Sequence, residues 1–158
     1  VDLEFDLDES ETQVSAKMQI IRNGNHKRPL VLNGENLKLL SVKINNQTVE
    51  ANTYKSIDST LVLDTEENSF DIEIKNTISP ISNSALSGLY ASSQILCTQC
   101  EPEGFRRITY FIDRPDILSI FRVTLRGKKD QYPILLSNGN QIFSKETGAY
   151  HECIWEDP

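Results

Sequence analysis

The chain has 158 residues, 38% of them hydrophobic, so it is long enough to fold as one domain over residues 1–158 and too short for a second core. Its formal net charge of −7 argues against binding to nucleic acid or to an anionic membrane, because such partners require clustered Lys and Arg. No apolar run approaches the roughly 20 residues of a membrane helix, and Val1–Ser10 lacks the basic and apolar regions of a signal peptide.

Alternation of apolar and polar residues dominates the amino-terminal part. Residues 1–7 carry apolar side chains at every second position, and residues 14–20 repeat the pattern. Side chains two positions apart share one face of a strand, so both segments are predicted as half-buried strands. Asn23-Gly24, Asn33-Gly34 and Asn138-Gly139 tolerate positive φ and predict hairpins or tight corners.

Further strands are predicted where short apolar runs lie between polar turns. The candidates are Leu30–Leu32, Leu37–Ile44, Thr60–Leu63, Phe70–Ile74, Gln94–Thr98, Phe121–Leu125, Ile134–Leu136, Gln141–Phe143 and Tyr150–Trp155. Short strands recurring roughly every 8–12 residues are typical of sandwiches. We therefore expect a mainly β, saddle-shaped domain with a two-sheet sandwich-like arrangement of antiparallel or mixed strands.

Two segments interrupt this β pattern. Pro80–Ser87 has low hydrophobicity and is predicted as a loop between sheets. In the region 103–121, Asp113 is suited to cap a helix and Pro115 to occupy its first turn, which predicts a short helix over Pro115–Ile120. A further helical turn is predicted within Gly104–Tyr110.

The stretch from Ser87 to Asp116 places unusual residues at fixed offsets. It reads SGLY, then CTQCEPEGFR, then ITYFIDRPD, and YPILLSNGN and WEDP follow later. These motifs closely resemble the N-terminal domain of the bacterial aminopeptidase N family, which are zinc-dependent alanyl aminopeptidases of the gluzincin type. Weaker similarity reaches back through LVLNGENLKLLSVKINNQ to VDLEFDLDES, so the resemblance covers nearly the whole chain.

The zinc motif of that family is missing from this sequence. A hydrolytic site of this type needs two His in an H-E-x-x-H helix, a third ligand and a Glu that activates water. The chain has only His26 and His151, and neither belongs to such a pattern. The resemblance therefore implies that metal and base lie in a following catalytic domain. We expect no catalytic residue and no metal ligand in this chain, and no activity from it alone.

Gln99 and Glu101 are the candidate substrate-binding residues. They follow the apolar run 95–97, and alternation predicts that both side chains point to the same side. Residues of these types at a strand end are, on composition alone, ordinary solvated side chains. The resemblance implies more: Glu101 binds the free α-amino group of a peptide, Gln99 lines the same subsite, and the bond from Glu101 to Pro102 is cis.

The spacing of Cys97 and Cys100 formally matches a CxxC motif. A structural zinc site needs two more ligands, and a redox motif needs to open a helix, but neither context is visible. Residues at i and i+3 on a strand point to opposite faces, which disfavours chelation and a disulfide. Three cysteines, an odd number, favour a reducing compartment, and we expect a cytoplasmic protein.

Two functions remain open from the sequence. The first is a domain that helps form the amine-binding subsite of a zinc aminopeptidase; its partners would be its own downstream catalytic domain and the amino end of a peptide substrate. The second is a non-catalytic β-sandwich module that binds protein or carbohydrate, since fold alone does not define function. Tyr150 and Trp155 belong either to the core or to an interdomain face.

Overall fold

The structure, a computed structural model, describes all residues from Val1 to Pro158. Strands contain 51% of the residues and helices 4%, which confirms the mainly β class. The strands are β1 (Asp2–Asp6), β2 (Thr12–Ile21), β3 (Leu30–Asn33), β4 (Lys38–Ile44), β5 (Gln47–Thr48), β6 (Tyr54–Ile57), β7 (Thr60–Leu63), β8 (Ser69–Ile78), β9 (Gly88–Ser92), β10 (Ile95–Gln99), β11 (Phe121–Lys128), β12 (Asn140–Thr147) and β13 (Tyr150–Asp157). No helix in the chain has the length and apolar character needed to span a membrane.

Eight strands form one large sheet in the order β12-β13-β11-β1-β2-β8-β4-β5. All neighbours in it are antiparallel except β1 and β11, which run parallel, so the sheet is mixed. A three-stranded sheet, β3-β7-β6, and the two-stranded β9-β10 hairpin complete the architecture. The expectation of antiparallel and mixed sheets is confirmed.

The core consists of two apolar clusters against the large sheet. The first lies between strands β2, β4 and β8 and the three-stranded sheet; it comprises Met18, Leu32, Val42, Leu61, Leu63, Phe70, Ile72, Ile74, Tyr110 and Phe111. The second lies where β9 and Ile108 pack on β1, β2, β8 and β11; it comprises Leu3, Phe5, Val14, Ala16, Ile78, Leu89, Ile108 and Val123. Buried positions alternate along β2 as its sequence pattern predicts.

The Asn-Gly dipeptides do not close hairpins. Gly24 and Gly139 have positive φ, as expected, but the first lies between strands of different sheets and the second precedes β12. Four hairpins, β4-β5, β6-β7, β9-β10 and β12-β13, instead have two-residue loops that each contain a residue with positive φ, and these residues are Asn45, Asn46, Asp58, Ser93 and Gly148. Such loops match the right-handed twist of the paired strands.

The two predicted helical segments have different outcomes. A 3-10 helix spans Phe105–Arg107, within the expected Gly104–Tyr110 turn. The helix over Pro115–Ile120 was a wrong prediction, because that segment is a turn followed by irregular backbone. Its expected cap, Asp113, accepts hydrogen bonds from Arg106 instead, and Arg114 pairs with Asp116.

Other local predictions were also corrected. Ile134–Leu136 is irregular backbone, not a strand. Pro80–Ser87 is largely a loop, but it begins with a 3-10 helix at Pro80–Ser82. Strands β5, β6 and β9 were not predicted, because their apolar alternation is too short or is interrupted by polar residues and glycine.

Candidate functional site

The β9-β10 hairpin carries the first candidate residue. Gln99, at the end of β10, pairs with Gly88 at the start of β9, and its side chain is exposed. Below the hairpin, Leu89 joins the second core cluster and Leu96 packs against it. The hairpin is therefore anchored to the large sheet, while Gln99 remains accessible to a partner.

The second candidate residue, Glu101, lies two positions beyond the strand. The peptide bond from Glu101 to Pro102 is cis, which confirms that expectation. The Gln99 side-chain amide donates to the Glu101 backbone carbonyl, with 3.3 Å between nitrogen and oxygen. The structure thus brings the two predicted residues together on an exposed edge.

Only one carboxylate between positions 99 and 113 lacks a basic partner. Glu103 and Asp113 both pair with Arg106, whose Nη2 lies 3.2 Å from Glu103 Oε2 and whose Nε lies 2.9 Å from Asp113 Oδ2. Glu101 is exposed and forms no ion pair within the chain. An exposed, unpaired carboxylate is available to a cation from outside the domain.

A tight turn after Glu101 holds this edge. The Gly104 N–H donates to the Cys100 carbonyl at 2.8 Å. A Cβ on Gly104 would lie 2.8 Å from the Gln99 carbonyl oxygen, the Cys100 Cα and the Ser87 Oγ. Such contacts are sterically forbidden, so the close approach of this turn to the end of β10 requires glycine.

Two surface cavities lie away from the candidate pair, and neither includes Gln99 or Glu101. The larger one has a volume of about 660 Å³ and includes Asp6, Arg126, Lys145, Tyr150 and Glu152 among its lining residues. The smaller one, of about 380 Å³, lies between the Ser79–Ala85 segment, Glu35 and Arg107. Gln99 and Glu101 are both exposed to solvent, so a closed amine pocket requires a second wall.

The larger cavity was not anticipated from the sequence. Arg126, in β11, contacts carboxylates on both neighbouring strands: Glu4 and Asp6 on β1, and Glu152 on β13. Burial lowers the pKa of Arg126, but the hydrogen bonds to Glu152 and Glu4 outweigh this and raise it overall. The Arg126 guanidinium is thus already paired with carboxylates and is not free to bind an anion.

The surroundings of the cysteines and histidines differ from those found in a metal site or a redox centre. All three cysteines are free, and burial, together with nearby Asp113 and Glu101, raises the pKa of Cys100 to about 11. A thiol with that pKa is protonated at neutral pH and is a poor nucleophile. His151 Nε2 lies 2.6 Å from the Tyr132 carbonyl, and no three His, Cys, Asp or Glu side chains are grouped to hold a metal ion.

Comparison with known proteins identifies relatives along the full chain. The family model for the Peptidase M1 N-terminal domain matches residues 1–156. Aminopeptidase N of Escherichia coli (strain K12) is 47% identical over 159 residues, which cover 100% of this chain and 18% of that protein. Aminopeptidase N of Caulobacter vibrioides is 44% identical over 157 residues, covering 99% of this chain and 18% of that protein.

Solved structures share the fold. Legionella pneumophila aminopeptidase A, in complex with aspartic acid, superposes with a TM-score of 0.91 and 33% identity, covering 99% of this chain and 19% of that one. An M1 zinc metallopeptidase from Deinococcus radiodurans has a TM-score of 0.77 at 14% identity, covering 98% of this chain and 37% of that one, which demonstrates a common fold.

The mixed eight-stranded sheet with its smaller covering sheets is therefore the fold of peptidase N-terminal domains. The chain belongs to the M1 peptidase family and corresponds to the N-terminal domain of its aminopeptidases. It spans less than a fifth of the length of the curated relatives it matches.

Proposed function

We propose that this chain is the N-terminal domain of a zinc aminopeptidase, and that Glu101 and Gln99 form the part of its substrate site that binds the free α-amino group of a peptide. The whole protein would release amino acids from the amino ends of peptides. The observation that carries this proposal is the exposed Glu101 carboxylate, the only carboxylate of residues 99–113 without a basic partner.

The chemistry of an aminopeptidase requires such a group. The enzyme must distinguish the first residue of a chain, and the protonated α-amino group is what marks it. A carboxylate binds an ammonium through charge-assisted hydrogen bonds, which strengthen when the pair is removed from bulk water. Glu101 alone is too exposed for strong binding, so the proposal requires a catalytic domain that covers this edge.

Zinc does not fit the residues of this chain. His26 Nδ1 lies 3.3 Å from Arg22 Nη1, and His151 contacts a backbone carbonyl. Neither histidine belongs to a group of three His, Cys, Asp or Glu side chains that could hold a metal ion. In the proposed protein the metal therefore lies in the downstream domain. The purified chain is expected to hydrolyse no aminoacyl amide with or without added zinc, whereas the full-length protein is active.

Exposed apolar side chains support contact with that downstream domain. Half of the exposed large hydrophobic residues lie between positions 118 and 150: Leu118, Ile120, Ile134, Leu136, Ile142, Phe143 and Tyr150. We expect these segments to be more protected from hydrogen exchange in the full-length protein than in the isolated domain, and equal protection would contradict the contact.

The amine-binding role is tested with two zinc-binding inhibitors of the full-length protein, alanine hydroxamate and propionohydroxamate. These differ only in the α-amino group, so the ratio of their inhibition constants, here called the amine selectivity, reports on that group alone. At pH 7 the amine is largely protonated. Glu101→Gln should lower the amine selectivity by about 30-fold or more, as expected when one partner of a desolvated charge pair is truncated. Unchanged selectivity would show that Glu101 does not bind the amine.

A non-catalytic module for protein or carbohydrate is the other function that the sequence left open. Its observational support is weaker, because the match to the peptidase family covers residues 1–156. No feature of the surface favours this second function.

A further inference from the structure

Arg106 lies between the exposed edge and the core. Its side chain is only 16% exposed, and it contacts Asp113, which is 12% exposed. The Arg106 backbone N–H and Nε both donate to Asp113 Oδ2, at 3.0 and 2.9 Å, and Nη2 donates to the Asp113 carbonyl at 2.9 Å. These hydrogen bonds raise the pKa of Arg106 further, so the guanidinium is charged at all accessible pH values.

The same guanidinium reaches outward to the loop that carries Glu101. Arg106 Nη2 lies 3.2 Å from the Glu103 carboxylate, whose side chain is 57% exposed. Glu103 has φ of 60°, a conformation that is unfavourable for a residue with a side chain and needs supporting contacts. Arg106 therefore connects a strained loop residue to a buried aspartate.

The 3-10 helix that carries Arg106 is itself fixed to the core. Phe105 packs edge-on against Phe111, with ring centroids 4.9 Å apart. The Arg106 carbonyl accepts a hydrogen bond from the Glu35 N–H at 2.8 Å, and Arg107 pairs with the Glu35 carboxylate. Arg106, the residue that pairs with Glu103, is thus held in a fixed position.

We propose that Arg106 is a positioning residue for the amine-binding pair, an inference that rests on the proposed function. Through Glu103 it holds the turn after Glu101, and because it pairs with both Glu103 and Asp113, Glu101 is the only carboxylate of residues 99–113 without a basic partner. Its planar guanidinium donates hydrogen bonds to Asp113 while Nη2 also lies 3.2 Å from the Glu103 carboxylate, a geometry that a lysine ammonium reproduces with less control.

The test uses the full-length protein and the amine selectivity. Arg106→Gln should reduce it by about 10- to 100-fold, the scale expected when a binding group is misplaced by about 1 Å, while the inhibition constant of propionohydroxamate stays within about twofold of wild type. In a Glu101→Gln background, Arg106→Gln should cause no further loss, because it acts through Glu101. Arg106→Lys should restore part of the selectivity.

Arg114→Gln is the matched control, because Arg114 pairs only with Asp116 and is exposed. It should leave both inhibition constants unchanged. Should Arg106→Gln not fold, Glu103→Gln breaks the same contact from the exposed side and should lower the amine selectivity in the same direction.

The two proposals fail separately. If Glu101→Gln abolishes amine selectivity while Arg106→Gln and Glu103→Gln preserve it, the positioning role is overturned and the amine site stands. Equal weakening of both hydroxamates by Arg106→Gln would also overturn the positioning role, since it indicates general structural damage. If Glu101→Gln has no effect on the selectivity, the proposed function itself fails.

Discussion

The Thr109 hydroxyl donates a hydrogen bond to the side-chain carbonyl of Asn76 at 2.9 Å, and both residues are completely buried. The Asn76 amide in turn donates to the Ile108 carbonyl, also at 2.9 Å. Asn76 belongs to β8 and Thr109 follows the 3-10 helix, so these bonds join the segment behind the candidate site to the large sheet.

Thr109→Val should destabilise the domain by about 1–3 kcal/mol, because it leaves the Asn76 oxygen buried without a donor. The free energy of unfolding measured by urea denaturation checks this. Thr147→Val is the control, since Thr147 is exposed in the edge strand β12; its effect should stay within about 0.5 kcal/mol. Equal effects of the two substitutions would contradict the structural role.

Glu73 should make the stability of the domain depend on pH. Burial raises its pKa, but the hydrogen bond from Lys43 and the charges of Lys43, Lys17 and Lys75 outweigh this, so the pKa lies below the ordinary 4.5. A depressed pKa means that the contribution to stability is complete above the unfolded-state pKa and is lost as pH falls through the folded-state value.

Glu73→Gln should therefore be less stable than wild type at pH 7, and the difference should shrink as the pH falls below about 4.5 towards 3. Urea unfolding of both proteins across this range measures it. A constant difference at all these pH values would show that the Glu73 charge contributes nothing. The low-pH result is the internal control, because both side chains are then neutral.

Gly104→Ala should displace the end of β10. The added Cβ meets the Gln99 carbonyl oxygen at 2.8 Å, and such overpacking costs about 1–3 kcal/mol. Backbone amide chemical shifts should change at Gln99 and Glu101. Gly148→Ala is a control with a backbone cost only, because its φ is 60° and nothing lies within 4 Å of the new Cβ. Undisturbed shifts at Gln99 in Gly104→Ala would contradict this packing.

Arg126→Gln should destabilise the domain by about 1 kcal/mol, a modest value because the side chain is 37% exposed. The loss arises because Glu4, Asp6 and Glu152 then repel one another across three strands. Since salt screens such interactions, the loss should shrink in molar sodium chloride. A loss independent of salt would indicate packing and not charge. Lys129→Gln, which removes a single exposed pair, should have little effect.

Alternation was a sound guide to the strands because the large sheet has one buried face. Each buried position of β2, for example, follows from its period of two. The wrong helix prediction over residues 115–120 has a physical origin, which is competition for one side chain. Asp113 has the sequence features of a helix cap, but its carboxylate is more favourably bound by Arg106, so no helix forms after it. Local propensity does not reveal such a partner.

The same distinction applies to the candidate site. The order of residues was sufficient to predict that Gln99 and Glu101 lie near one another, because both are close in the chain and follow one strand. Only the tertiary structure decided which carboxylates are paired. Three carboxylates, those of Glu103, Asp113 and Glu35, lie near Arg106, and the fold of the backbone determines which of them form ion pairs with it.

The sequence by itself determined the β class, most strand positions and the exposed pair, because periodicity and neighbouring residues are local properties. Tertiary structure alone decided the parallel pairing of residues 2–6 with residues 122–126, the Asn76–Thr109 bond and the unpaired state of Glu101. These three features depend on contacts between distant segments or on competition among several partners, and they are determined by the free energy of the whole fold.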